Sequence, residues 1–360
     1  MSVKQTEVQE IALEKLHKFF QSNNYGIGFY SPRLGKCRLT IELWKKLYKV
    51  QPTILVTYPN NTLEDVWRVE CEKWGYFNEN IIYCNFRSLH KYLDTKIDFF
   101  CIDELHEASE VQRDYCHQIM TNTAHTKTLA LSGTISKETK ELWGMPIIDE
   151  YSTDEAIKEG ILADYTVTVK MVDLDNSVFT KNKKGKLQSE KGKYAAYSFV
   201  INKMIKEGKN YMALALTRNR LSMNSIGKMK ALRALLEELK DKRVIIFTGL
   251  KDVAESIGIP YFHSDSGDEG LNLFQEEKCN HLALVNTGGF GITYTNLDCV
   301  ILLNFVGNEE AVTQQCFRAL KLDYKSKSAD LRILCLKEAP EIKKIEKSLS
   351  MLDKNKVKYI

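Results

Sequence analysis

The sequence predicts an α/β protein made of two successive units, each a mainly parallel sheet flanked by helices. Three observations carry this expectation. Short apolar, β-rich runs alternate with stretches of helical periodicity up to about residue 150. The same alternation then restarts and continues to the end of the chain. The strand-like runs are continuously apolar, as strands covered on both faces must be.

In the first unit, Val8, Ile11, Ala12, Leu16, Phe19 and Phe20 recur at helical spacing. A strand is expected at Tyr25–Tyr30, followed by a glycine-containing turn and a helix over Leu39–Leu47. Thr53–Tyr58 is β-rich, Leu63–Trp74 is helical in pattern, and Ile81–Cys84, Phe99–Ile102 and Thr128–Leu131 read as short buried strands. In the second, Met204–Ile205 and Ile226–Leu239 look helical. Val244–Phe247, Leu282–Val285, Val300–Leu303 and Leu331–Leu336 look like buried strands, and a charged helix follows Pro340. The expected division is 1–150 for the first unit, 151–240 for the connection and the start of the second, and 241–360 for the second core.

The connection carries a lysine-rich insertion, 176–193, with Lys181, Lys183, Lys184, Lys186, Lys191 and Lys193. One reading is a solvated loop or hairpin. The other is an arm that touches phosphates, since flexible lysines supply sequence-independent affinity by releasing counterions.

The 360 residues are 44% hydrophobic and 27% charged, which supports sizeable cores and argues against wholesale disorder. A net charge of +4 tolerates a polyanionic partner without demanding one. The nine cysteines form no C-x-x-C pair, so a zinc ribbon or thioredoxin-like site is not expected, and they read as reduced core residues. The N-terminus runs straight into an amphipathic helix, without the pattern of a signal peptide, and no apolar run approaches a membrane span. The expected location is cytoplasmic, or the host cytoplasm for a phage-encoded chain.

Ser31-Pro32-Arg33-Leu34-Gly35-Lys36-Cys37 lies between a predicted strand and a predicted helix. That is the setting of a phosphate cradle, in which loop amides and a helix N-terminus face the anion. Gly35 permits close backbone approach and Lys36 reaches the β/γ phosphates. Taken alone, the segment reads equally well as an ordinary turn. Phe99–Ile102 then ends in adjacent carboxylates, Asp103 and Glu104, before Leu105-His106. Asp103 suits a hydrated Mg²⁺ on ATP, and Glu104 suits the orientation and deprotonation of an attacking water. Capping of the next helix is the structural alternative for such a pair.

Asp103-Glu104-Leu105-His106 resembles the D-E-x-H box of superfamily 2 helicases, and other segments fall in that family's order. Gln9 resembles the adenine-reading glutamine. Thr57-Tyr58-Pro59, with Trp67 and Lys73-Trp74 downstream, is similar to motif Ia. Asn85-Phe86-Arg87-Ser88-Leu89 resembles the strand-contacting segment before the acidic box. Ser132-Gly133-Thr134 is similar to motif III, and residues 155–162 resemble the link into the second lobe. Val244–Thr248 resembles motif IV, and residues 286–293, with Thr287 and Gly288, resemble motif V. Gln314, Arg318 and Lys321 stand at motif VI positions. The glycine-rich forms of motifs III and V are similar to those of chromatin-remodeller-like translocases. The compact length resembles phage-encoded members.

The resemblance implies two RecA-like lobes with an interlobe ATP cleft. It implies ATP on Gln9, Arg33, Leu34, Gly35, Lys36 and Cys37, Mg²⁺ held by Asp103 through water, and catalysis by Lys36, Asp103, Glu104, Arg318 and Lys321. Thr57, Arg87, His106, Ser132, Thr134, Thr287, Gly288 and Gln314 would contact nucleic acid or couple it to hydrolysis. His106 reads as well as a locally bonded structural residue. Trp67 and Trp74 read as packing residues ahead of base-stacking ones.

Two departures stand out. Cys37 replaces the hydroxyl that ligates magnesium, and a thiol is a poor ligand for a hard cation. Lys321 replaces the second arginine and lacks its planar fork. The implied function is an ATP-dependent motor, helicase or double-stranded DNA translocase, that moves on nucleic acid without sequence preference, DNA ahead of RNA. A monomer with replication or recombination partners is expected. An ATP-gated nucleic-acid clamp that hydrolyses slowly or not at all, and an RNA helicase, are the alternatives. A metabolic P-loop kinase would leave the second unit unexplained.

Overall fold

The computed structural model describes residues 3–122, 125–133, 137–181, 185, 187–285, 297–304, 328–350 and 352–360. The expected positions Thr134, Thr287, Gly288, Gln314, Arg318 and Lys321 lie outside the described residues, as do Lys183, Lys184 and Lys186.

The first compact unit runs from Met1 to Asp164. Its elements are α1 (Val3–Phe19), β1 (Tyr25–Tyr30), α2 (Lys36–Leu47), β2 (Ile54–Tyr58), α3 (Thr62–Lys73) and β3 (Ile81–Asn85). After a 3₁₀ turn at Phe86–Tyr92 come β4 (Phe99–Ile102), α4 (Glu110–Asn122), β5 (Lys127–Ser132), α5 (Lys137–Trp143), β6 (Ile147–Tyr151) and α6 (Thr153–Lys158). The strands form one sheet in the order β3-β2-β4-β5-β1-β6, with every pairing parallel.

Parallel pairing explains the continuous apolar runs. In β4, Phe99 and Cys101 join the core beneath α1, α2 and α3. Phe100 and Ile102 join the opposite core with Cys116, Ile119 and Met120 of α4. Each residue is needed on one face or the other, so none is polar. Burying a side chain such as Phe100 contributes about 1.5–3 kcal/mol.

The boundary expected near residue 150 falls inside β6, which pairs with β1. Helix α6 then starts on a capping box in which Ser152 accepts from the Glu155 amide and Glu155 accepts from the Ser152 amide. Lys4 of α1 donates to the Glu159 carbonyl at 3.0 Å, and Tyr151 donates to the Glu159 carboxylate at 2.8 Å. These bonds tie the segment to the first unit.

The second unit includes Tyr165–Leu320 and Ser328–Ile360. Its elements are β7 (Tyr165–Val172), β8 (Phe179–Lys181), β9 (Leu187–Ser189), α7 (Glu190–Lys206), α8 (Met212–Met223), α9 (Ile226–Glu238), β10 (Val244–Phe247), α10 (Lys251–Ser256), β11 (Tyr261–Phe262), α11 (Glu269–Gln275), β12 (His281–Leu284), β13 (Cys299–Leu302), β14 (Ala329–Leu336), α12 (Ala339–Ser348) and β15 (Val357–Tyr359). The large sheet has the order β11-β12-β10-β13-β14-β7-β15, again parallel throughout. Val244 and Ile246 pack against Leu232 and Leu235 of α9 in its core.

The lysine-rich insertion lies within this second unit, after β7, and not between the units. Its described part includes the antiparallel hairpin β8–β9 and the first turn of α7. The hairpin of the first reading is present, and it leaves the phosphate-contacting reading open. Among the described residues no helix is long and apolar enough to cross a membrane. The described cysteines are all free.

Candidate nucleotide site

The phosphate loop leaves β1 and enters α2, and its shape is set by two left-handed residues. Arg33 has φ 67° and Gly35 has φ 91°. Gly35 is the residue before α2, where a Cβ would also stand 2.5 Å from Gln9 Nε2. Glycine tolerates this conformation, whereas an L-residue loses about 1–2 kcal/mol in it. Arg33 bears that cost. Glu104, at φ 53°, is the second of three described non-glycine residues with positive φ, so two of the three sit at this site. Strained backbone of this kind persists where the surroundings over-determine it.

Helix α1 braces the loop from behind. Gln5 donates to the Arg33 carbonyl at 3.0 Å. Gln9 donates to the Leu34 carbonyl and accepts from the Arg38 guanidinium. Arg38 lies 4.4 Å over the Trp74 ring. Gln9, expected as the adenine reader, therefore has both ends of its amide engaged with the loop and α2. Gln5 was not anticipated. Its signal is the i, i+4 spacing to Gln9, which puts two buried amides on one helix face.

Lys36 Nζ donates to Glu104 Oε1 at 2.7 Å, joining the loop after β1 to the segment after β4. Burial alone would lower the lysine's pKa, but the Glu104 and Asp103 carboxylates outweigh it and the pKa is raised. Lys36 stays a cation. Gly133 closes the site from the end of β5. A Cβ there would lie 3.4 Å from Pro32 and 3.5 Å from Lys36 Nζ.

Asp103 is 4% exposed. Its Oδ2 accepts from Trp67 Nε1 at 2.9 Å, while its buried Oδ1 has no hydrogen-bond partner among the described residues. Burial and the adjacent Glu104 push its pKa up to about 6, against the opposing pull of Lys36 and Trp67. The orphaned Oδ1 fits the hydrated Mg²⁺ that the resemblance implies, since an acceptor with no protein donor suits a water of the ion. No group of three or more His, Cys, Asp or Glu able to hold a metal occurs among the described residues. Cys37 fits less well. Burial and then Asp103 raise its pKa well above the usual thiol value, so it stays protonated and offers no anionic ligand.

His106 is fully buried at its side chain, and its Nδ1 lies 3.0 Å from Ser132 Oγ at the end of β5. The segments resembling the acidic box and motif III are thus bonded to each other. Trp67 is fully buried against Trp44, with ring centroids 5.8 Å apart, so packing is its place in the fold. Its bond to Asp103 is a contact that the sequence does not disclose. Thr57 is fully buried and its side chain offers no surface to a polymer. Its carbonyl instead accepts from the Asp103 amide at 2.9 Å. Arg87 is exposed on the 3₁₀ turn after β3.

Residues 227–323 match the model of the helicase conserved C-terminal domain. Over nearly its whole length the chain also superimposes on solved structures. The ATP-dependent Type ISP restriction-modification enzyme LlaBIII, bound to DNA, matches with a TM-score of 0.63 at 13% identity, covering 98% of this chain and 31% of that one. The chain has a helicase fold, two mainly parallel sheets flanked by helices. A fragment assigned as the HsdR subunit of a type I restriction enzyme from Vibrio vulnificus YJ016 matches this helicase fold with a TM-score of 0.61 at 16% identity, covering 91% of this chain and 63% of that one. The Pyrococcus furiosus Hef helicase domain matches with a TM-score of 0.51 at 13% identity, covering 95% and 98%. The chain therefore spans about a third of LlaBIII and nearly the whole Hef helicase domain. No curated protein matches the sequence.

Proposed function

We propose that the chain is an ATP-hydrolysing nucleic-acid motor, a helicase or double-stranded DNA translocase that acts on DNA ahead of RNA and without sequence preference. The observation that carries this reading is the convergence of Lys36, Glu104 and Asp103 beyond the C-terminal ends of β1 and β4, parallel strands on either side of β5, with one Asp103 oxygen left for an outside donor. The helicase C-terminal match and the fold shared with a DNA-bound ATP-dependent enzyme support it.

The chemistry follows from charge exchange. The triphosphate draws Lys36 away from Glu104, because three anionic oxygens outbid one carboxylate for the ammonium. Glu104, released from the ion pair, accepts the proton of the attacking water. Asp103 would hold hydrated Mg²⁺, which when bound would supply neutralisation of phosphate charge. Gln5 and Gln9 keep the loop in the shape that aims its amides at phosphate. Arg318 and Lys321 of the second lobe would complete the site on closure and couple chemistry to motion. Arg87, the lysine-rich hairpin and the segment holding Thr287, Gly288 and Gln314 would contact the polymer backbone, which carries no sequence information. Through the 3.0 Å His106–Ser132 bond, movement at the polymer would reach the acidic box.

The test is steady-state ATP hydrolysis with Mg²⁺ in the absence of nucleic acid and with single-stranded, duplex or forked DNA or RNA, with Glu104→Gln as control. Stimulation by duplex or forked DNA that vanishes in the control supports the motor. Binding of ATP and DNA without turnover above the control overturns it. Cys37 favours that second reading, an ATP-gated clamp, because a protonated thiol stands in for a magnesium-ligating hydroxyl.

A further inference from the structure

Trp67 lies on α3, away from the phosphate loop and the acidic box in sequence, yet its indole N–H is directed at one oxygen of Asp103 at 2.9 Å. Both residues are buried, at 0% and 4% exposure. The indole cannot drift. It stacks on Trp44 at an interplanar angle of 27°, and Trp44 in turn packs edge-on to Phe99 of β4, the strand that delivers Asp103. Packing alone does not require this bond. Trp44, equally buried, leaves its own Nε1 without a partner among the described residues. An indole N–H only donates, so it holds the aspartate as a carboxylate acceptor and fixes which oxygen it engages. The other oxygen, Oδ1, is buried and has no partner among the described residues.

We infer that Trp67 is a positioning residue that locks the Asp103 carboxylate so that Oδ1 is presented to hydrated Mg²⁺ on the nucleotide. This rests on the ATPase reading above and adds the group that orients its metal-facing carboxylate. Partners that hold a metal-facing group from behind are commonly worth about 10–100-fold in metal affinity or activity.

Binding of a fluorescent ATP analogue, with and without Mg²⁺, tests this on the full-length protein. Turnover is titrated with Mg²⁺ in parallel. Wild type should bind more tightly with Mg²⁺, and Asp103→Asn should lose that gain. Trp67→Phe keeps a ring on Trp44 but removes the N–H. It should keep its Mg²⁺-free affinity within about twofold, lose about tenfold of the Mg²⁺-dependent gain, and need more Mg²⁺ for half-maximal turnover. Trp44→Phe removes a similar volume and leaves the N–H, so its Mg²⁺ response should be unchanged. Should Trp67→Phe fail to fold, benzothienylalanine at position 67 exchanges only N–H for sulfur and should show the same loss. A full Mg²⁺ response in the position-67 variants, or an equal loss in Trp44→Phe, overturns the inference alone. A wild-type protein that binds no nucleotide overturns the ATPase reading and the inference with it.

Discussion

Lys36 Nζ and Glu104 Oε1 stand 2.7 Å apart, with each side chain 15% exposed, so the cation placed for phosphate and the carboxylate placed for water neutralise each other. This pair links the two strand ends on which the proposed chemistry depends. It makes nucleotide affinity and turnover separable. Glu104→Gln weakens the hold on Lys36 and removes the base. ATP affinity should therefore be kept or rise, while turnover falls about 10²–10⁴-fold, the usual worth of a general base. Equilibrium binding and steady-state hydrolysis on the same preparation check this. A variant that turns over at the wild-type rate would remove Glu104 from the chemistry.

Cys37 gives a pH prediction. Its thiol pKa is raised, first by burial and then by Asp103, and only the thiolate alkylates readily. Raising the pKa lowers the thiolate fraction at every pH below it. Alkylation by iodoacetamide should therefore stay slow at pH 8 and accelerate only well above the range of an ordinary cysteine. Mass spectrometry of position 37 against a model peptide gives the comparison. Rapid labelling at pH 8 would contradict the burial argument. In the same site Cys37→Thr restores a hydroxyl oxygen, and the Mg²⁺ needed for half-maximal turnover should fall.

Much of this site was legible because its signals are local. A strand buried on both faces must be continuously apolar, so the two acids after Phe99–Ile102 mark its end. Gly35 was legible as the residue that lets the backbone approach, and it does adopt positive φ. What stayed hidden depends on tertiary neighbours. The Trp67–Asp103 bond joins residues 36 positions apart. Thr57 resembles a surface motif residue, but β2 is covered on both faces and buries it. Strand β7 differs from the continuously apolar runs, since its apolar residues alternate with Thr166, Thr168 and Lys170, and β11, at two residues, is too short for a periodic signal.

His106 and Ser132 offer a test of coupling. Their 3.0 Å bond joins the acidic box to the end of β5, and neither contributes a group to the proposed proton transfer. His106→Ala should therefore leave basal hydrolysis within about threefold, with a stability cost above the ~1 kcal/mol of one buried bond, because the ring also lies 3.7 Å from Glu104 Oε2 and 3.5 Å from Glu107 Oε1. Stimulation by duplex DNA should drop about tenfold, the scale of a typical coupling free energy. Ser132→Ala should move the same way. Basal and stimulated rates that fall together would assign the pair a structural role instead.

Glu190 is the buried polar centre of the second unit. It is 4% exposed, and its carboxylate accepts from the Asp175 amide at 2.7 Å, the Ile226 amide at 2.8 Å and the Ser225 hydroxyl at 3.2 Å. These bonds fasten the base of the lysine-rich hairpin to the N-terminus of α9, where a negative charge also complements the helix dipole. Alanine would strand two buried amides and remove the charge. The expected loss is about 2–3 kcal/mol, the range for buried hydrogen bonds to a charged group. Glutamine keeps one acceptor oxygen and should lose less. Urea unfolding of the three proteins reads this directly, and nucleotide binding by the first unit should survive at low denaturant. Equal stability of wild type and Glu190→Ala would mean that water replaces the carboxylate at no cost, and that the hairpin is not anchored there.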